Sequence, residues 1–197
     1  RGLYPPGSTL KPMVAVALQK AGVDPQETVF CPGGYRLGNR FFRCLGRHGT
    51  VNMTRAIEQS CNTYFYSMGN RIGYDAIAPV ARAFGLGEEF DLPGTSQRYG
   101  TIPDSAWKRR RYDQAWSNAD TLNATIGQGY VSVNPLQLAV MTARIASGRN
   151  LQPSLLMNRN HPAPAAMPFD PEWFAVSRRG MDLVVNGNGT GRRSKLD

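Results

Sequence analysis

Histidine is nearly missing from this sequence, with His48 and His161 the only two among 197 residues. A Ser-His-Asp hydrolase needs a histidine beside its serine, and no Gly-x-Ser-x-Gly elbow is present either, so that route to an activated serine is closed. Cysteine is scarce too: Cys31, Cys44 and Cys61 are the full set. No His or Cys spacing matches a zinc site, so no metal is expected, and nothing calls for a cofactor. Neither histidine has a local reason to serve Cys61 as base, which argues against a thiol nucleophile; His48 is expected to tie down its own loop. No apolar run approaches the ~20 residues that cross a bilayer, and no signal peptide is visible. Lysine is confined to Lys11, Lys20, Lys108 and Lys195.

Acidic residues are also few, 14 against 23 Lys and Arg, which leaves a formal charge of +9 and a pI near 9.9. That balance raises nucleic acid as a partner. The densest basic run, Lys108-Arg109-Arg110-Arg111 between Trp107 and Tyr112, is expected on a loop as a solvated face, and no nucleic-acid partner is expected. Cys31 and Cys44 bracket a compact segment that a disulfide could close, stabilising by roughly 3 kcal/mol in the loop-entropy model; two unpaired thiols fit the same sequence.

What is present is enough for one domain or part of one, with 41% hydrophobic residues and no internal repeat. Fourteen prolines and 21 glycines imply long ordered loops between helices. The run from Met13 to Ala21 is apolar nearly all round, which predicts a buried helix. Further helices are predicted from Asp75 to Phe84 ahead of Gly85, from Pro135 to Ser147 with Asn134 as cap and Gly148 as terminator, and from Pro171 to about Asn186 with Asp170 as cap. Phe30 to Arg47 reads as irregular or short-strand structure, and the stretch from His161 to Ala166 as a surface loop.

Ser8-Thr9-Leu10-Lys11 places a hydroxyl and an amine three residues apart, on one helix face. A serine hydroxyl is a poor nucleophile until a base takes its proton, and a lysine partly removed from water can do so. By itself the spacing also fits a serine N-cap followed by a solvated lysine. Ser60-Cys61-Asn62 follows the amphipathic segment from Met53 to Gln59 and precedes Thr63-Tyr64-Phe65-Tyr66, which suggests a tight break between two helices. If the break is locally extended, Ser60 and Asn62 face one side while Cys61 turns inward; an ordinary polar turn is the other reading. Ile126-Gly127-Gln128-Gly129-Tyr130 is the third marker, compatible as it stands with a simple turn.

As a set in this order, these segments resemble the transpeptidase domain of bacterial class B penicillin-binding proteins, closest to the elongation-type penicillin-binding protein 2 branch. Tyr4-Pro5-Pro6-Gly7, His48-Gly49-Thr50-Val51-Asn52 and Gly180-Met181 add to the match, which spans most of the chain. The resemblance implies an α/β penicillin-binding/β-lactamase-like fold, with an antiparallel sheet flanked by helices beside a mostly helical lobe and the site at their junction. It implies a D,D-transpeptidase that cross-links peptidoglycan stem peptides through a serine acyl-enzyme, is acylated by β-lactams, and serves cell elongation and shape. Ser8 would be the nucleophile, Lys11 its general base, Ser60 the proton relay to the leaving D-alanine, and Asn62 a substrate-binding residue that also fixes Lys11. The expected location is the bacterial inner membrane, with the catalytic domain in the periplasm and a glycosyltransferase and other elongation-complex proteins as partners.

The family's third motif, Lys-Ser/Thr-Gly on an edge strand, has no counterpart here, and Gly189-Thr190-Gly191 lacks the lysine. Residues 1–197 are therefore expected to be a partial transpeptidase domain, without the N-terminal anchor, the pedestal domain and the third-motif strand. Loss of an oxyanion donor from that strand would cost about 10²–10³ in rate. Two alternatives share the serine-lysine pair: a β-lactamase, against which the absence of a Glu-x-x-Leu-Asn segment counts, and a non-catalytic penicillin-sensing or scaffold domain.

Overall fold

The computed structural model describes residues 2–92, 96–155 and 163–195. Its organising element is a helix that solvent scarcely reaches. A 3₁₀ turn over Gly7–Leu10 runs straight into α1 (Lys11–Lys20), with Pro12 in the first helical turn, where a missing N–H costs nothing. Leu10 and every residue from Met13 to Leu18 are at most 1% exposed, as the unbroken apolar run predicts. Burying each such Leu, Val or Met side chain contributes about 1.5–3 kcal/mol of transfer free energy.

After α1 the chain makes β1 (Val29–Cys31), the hairpin strands β2 (Gly34–Leu37) and β3 (Arg40–Arg43), and β4 (Gly49–Val51). β1 pairs antiparallel with β4, Phe30 opposite Thr50, and β2 pairs with β3, Tyr35 opposite Phe42. Among the described residues the antiparallel sheet is thus represented by two small two-stranded pieces, and the remainder is the helical lobe. α2 (Met53–Glu58) opens on Asn52, whose side chain accepts from the Arg55 N–H at 3.1 Å. α3 (Asn62–Ile72) and α4 (Tyr74–Ala83) follow, and α1 packs against both.

The basic run is not on a loop. It lies in α5 (Ser105–Tyr112), because Asp104 caps that helix by accepting the Trp107 N–H at 2.7 Å. The helix turns Lys108 inward to an ion pair with Asp120 at 2.6 Å, while Arg109, Arg110 and Arg111 stay exposed. Asp120 belongs to α6 (Asn118–Thr125), where it completes a reciprocal cap with Ser117.

α7 (Pro135–Ser147) and α8 (Pro171–Asn186) begin and end where the caps predict. Asn134 and Gln137 exchange side-chain to backbone bonds at 2.9 and 3.1 Å, and Asp170 accepts the Glu172 N–H at 2.9 Å. α8 lies across α1 and α2. Its Ser177 Oγ donates to Pro12 O at 2.8 Å, and its Gly180 faces Ile57 so closely that an added Cβ would sit 2.6 Å from the Ile57 Cβ. His161 lies outside the described residues.

Candidate active site

The turn that carries Ser8 is held by main chain. Tyr4 and Val133 exchange backbone hydrogen bonds at 2.9 and 3.0 Å, and Gly7 N–H donates to Gly127 O at 2.9 Å. Gly127 has φ +72°, and a Cβ there would come 2.4 Å from Gly7 O, so the approach requires glycine. The Gly127-Gln128-Gly129 marker, which by sequence alone could be any turn, is the rest against which the Ser8 turn leans.

Ser8 is exposed and lines a cleft of about 350 Å3 together with Lys11, Ser60, Ile57, Thr142, Met181, Val184 and Thr190. The 3₁₀ geometry tightens the expected helical turn, which nearly eclipses side chains three apart and brings Ser8 and Lys11 to one side. Lys11 is 1% exposed. Its Nζ donates to Asn62 Oδ1 at 2.6 Å, Ser60 O at 2.8 Å and Ser60 Oγ at 3.0 Å, which uses all three ammonium protons. The structure therefore joins Lys11 to both outer residues of the Ser60-Cys61-Asn62 segment, and Ser8 shares their cleft.

Burial lowers the Lys11 pKa from 10.5 to about 8, against an opposing pull from the thiols of Cys44 and Cys61. An amine with that pKa is a usable base near neutrality, and an ordinary solvated lysine is not.

Ser60 and Asn62 face one side by a different route from the expected extended segment. Ser60 has φ +52°, a left-handed conformation that a serine adopts only when its surroundings impose it, and Cys61 alone is extended, at φ −71° and ψ 104°. Cys61 is fully buried, as the alternation predicts. Asn62 is anchored on its other side, its N–H donating to Cys44 Sγ at 3.2 Å and its Nδ2 to Arg43 O at 3.4 Å.

The cleft wall formed by the segment from Gly187 to Gly191 is tied down. Asn188 N–H donates to the buried Glu58 Oε1 at 2.9 Å, and Gly191 N–H donates to Val184 O at 2.9 Å. Glu58, which also pairs with Arg55 at 3.2 Å, gave no signal of this role in the sequence, since Asn188 is 130 residues away.

The cysteines follow the second of the two readings that the sequence left open. All three are free thiols. The fold gathers Cys31, Cys44, Cys61 and His48 so that their ligand atoms lie within 4.8 Å of one another, an arrangement able to hold a metal ion. Sequence spacing missed it because the four come from three separate segments: the end of β1, the β3–β4 loop and the break between α2 and α3. The contact between the two sulfurs, 4.0 Å apart, pulls the Cys44 thiol below its usual range and, with burial, pushes the Cys61 thiol up.

The chain matches the family model of the penicillin binding protein transpeptidase domain over residues 1–197. It is 34% identical over 211 residues to the peptidoglycan D,D-transpeptidase MrdA of Salmonella typhimurium, a match covering 97% of this chain and 34% of that protein. The Acinetobacter baumannii MrdA is also 34% identical, over all of this chain and 32% of its own length. The chain thus spans about a third of the length of these curated relatives. Among solved structures, Pseudomonas aeruginosa PBP2 in complex with WCK 5153 superposes with TM-score 0.88 at 39% identity, covering 98% of this chain and 47% of that one. Helicobacter pylori PBP2 does so with TM-score 0.91 at 31% identity, covering 98% and 38%. Agreement in sequence and in backbone over nearly every residue, around a cleft where a buried lysine meets the serine and asparagine of a second motif, places this chain in the penicillin-binding protein transpeptidase domain family.

Proposed function

We propose that this chain is the catalytic part of an elongation-type peptidoglycan D,D-transpeptidase. The observation that carries the reading is the meeting of Lys11 with Ser60 and Asn62 at the edge of the cleft that holds Ser8. In its neutral form Lys11 takes the Ser8 proton while Ser8 Oγ attacks the carbonyl between the two terminal D-alanines of a stem peptide. The proton passes through Ser60 Oγ, 3.0 Å from Nζ, to the departing amine, and D-alanine leaves. An amine of a neighbouring stem peptide then attacks the acyl-enzyme and releases Ser8. Asn62 keeps its Oδ1 on Lys11 and its amide near the substrate backbone, so one side chain aligns base and substrate. A β-lactam follows the first half of this path and stays on Ser8.

In this reading the chain is part of a transpeptidase domain whose Lys-Ser/Thr-Gly strand lies elsewhere in a longer protein. That protein carries an N-terminal anchor and a pedestal domain and works at the bacterial inner membrane, with its catalytic domain in the periplasm. No helix among the described residues is long and apolar enough to cross a membrane. Its partners are glycosyltransferase and elongation-complex proteins, in keeping with the solved complex of H. pylori PBP2 with MreC.

Incubation of the whole domain with a penicillin, followed by peptide mass mapping, tests the assignment. A persistent adduct on Ser8, lost in Ser8→Ala, is the expected result. Labelling at another residue, or rapid turnover of the penicillin, overturns it.

A further inference from the structure

A second cleft lies beside the one that Ser8 lines. It has a similar volume, about 350 Å3, and its walls are Arg47, His48, Gln59, Asn188, Gly189 and Thr190. Thr190 lines both clefts, and Gln59 directly precedes Ser60 in the chain. The walls are fixed from outside. Asn188 N–H is held by Glu58 at 2.9 Å and Gly191 N–H by Val184 O at 2.9 Å, while the Arg47 stem lies over Gly33, where an added Cβ would come 3.2 Å from Arg47 Cγ.

Two groups in these walls have their bonding capacity unused. The Glu58 carboxylate is answered by Arg55 at 3.2 Å, and Arg47 makes no ion pair among the described residues. Gln59 Oε1 is shielded from water without a hydrogen-bond partner. Such walls call for a carboxylate against the guanidinium and an N–H donor against the amide oxygen. The approach carries the same preference. Arg36, Arg40, Arg43 and Arg47 are all exposed, and no Asp or Glu occurs between Glu27 and Glu58, so this face attracts an acidic peptide.

The second half of the proposed reaction needs an amine beside Ser60, where the departing amine received its proton. The attacking amine bonds to the acyl carbon as the bond from that carbon to Ser8 Oγ breaks. Its proton passes through Ser60 Oγ to Lys11, and Lys11 returns one to Ser8 Oγ. Whatever the acceptor carries next to its amine then lies close to Ser60, and the polar cleft beginning at Gln59 is open to it.

We propose that this second cleft is the acceptor subsite, in which Gln59 Oε1 receives an N–H of the attacking amine and Arg47 pairs with a carboxylate on the carbon that bears it. The subsite selects an acceptor side chain ending in an amino acid over one ending in a bare amine. This assignment rests on the transpeptidase reading and extends it to the residues that choose the second substrate.

The test uses the full-length protein that contains this chain. A stem-peptide thioester acylates Ser8 as its thiol leaves, and the acyl-enzyme then divides between water and an added amine, read as acid against amide product. D-alanine and D-alaninamide are the two amines, alike except for the carboxylate, compared at equal concentrations of the neutral amine. The wild-type protein should prefer D-alanine. Arg47→Ala should lose about tenfold with D-alanine and less than about twofold with D-alaninamide, Arg47→Lys should regain part of the loss, and Gln59→Leu should fall with both amines alike. Tm reports folding, and Arg47→Gln replaces Arg47→Ala if the latter melts early. An unchanged preference for D-alanine in the Arg47 variants overturns the subsite. An equal loss in acylation by the thioester or by penicillin puts the carboxylate on the donor peptide and overturns the acceptor assignment. A wild-type protein that neither reagent labels at Ser8 sinks the transpeptidase reading and the acceptor role with it. Calorimetric binding of a stem tetrapeptide that weakens about tenfold in Arg47→Ala would still support the acidic-peptide cleft in that case, and absence of binding would remove it.

Discussion

The pH dependence of Ser8 acylation tests the central piece of chemistry directly. Burial sets the Lys11 pKa at about 8. At pH 7 about one molecule in ten then carries the neutral amine, against about one in three thousand for an ordinary lysine. Between pH 7 and pH 9 the neutral fraction rises roughly tenfold and levels off, and the second-order rate of penicillin acylation should follow it. Stopped-flow measurement with a fluorescent penicillin across pH 6 to 10 gives the profile. Asn62→Leu removes the 2.6 Å acceptor that favours the ammonium, so its midpoint should move toward acid even as the rate falls. The same shift has a stability consequence of opposite benefit. The folded pKa lies below the unfolded one, so the unfolded chain binds more protons between about pH 8 and 10.5 and stability rises with pH across that window. Below it, the buried ammonium costs about 3 kcal/mol. Lys11→Met should recover part of that at pH 7 while abolishing acylation. A rate that is flat from pH 6.5 to 9.5, or that climbs without a plateau through pH 10, refutes the assignment of Lys11 as base.

Three further outcomes follow from packing and charge. Gly180→Ala forces a methyl against Ile57 and should cost about 1–3 kcal/mol, read as a Tm lower by several degrees. Gly127→Ala presses on Gly7 O and on a positive φ, so it should slow Ser8 acylation more than it lowers Tm; equal effects on both would mean that the Gly7–Gly127 contact is ordinary packing. Lys108 and Ser117 hold the Asp120 carboxyl below its usual range despite its burial. The stability this supplies is present above the unfolded pKa and is lost as pH falls through the lower folded value, so Lys108→Met should destabilise by about 1–3 kcal/mol at pH 7 and flatten the acid limb of a urea titration.

The helices were legible where their ends carry specific chemistry. Asn134-Pro135 with Gly148, and Asp170-Pro171 with Gly187, bound α7 and α8 as the sequence predicts, because caps are local. The apolar run after Lys11 was equally plain. α5 was not, since its basic residues give no apolar stripe and its cap, Asp104, looked like any loop aspartate. The pairing of Ser60 with Asn62 was anticipated, but the left-handed serine that produces it was not, because its cause is tertiary. Distance in sequence hid the rest: Glu58 meets Asn188, and the Cys-His quartet is assembled by strand pairing that no linear spacing encodes. Between a Cys31–Cys44 bridge and unpaired thiols, both open in the sequence, the fold takes the second, and it brings the Cys61 sulfur within 4.0 Å of the Cys44 sulfur.

The Gly7–Gly127 and Tyr4–Val133 contacts are written in main-chain atoms. Side chains along the cleft, such as Thr142, Met181 and Val184, take no part in those main-chain bonds, so exchanging them reshapes the cleft without moving the turn that carries Ser8. The shape of the cleft is thereby uncoupled from the placement of Ser8, and substitutions along its walls can alter what fits while the serine turn stays put.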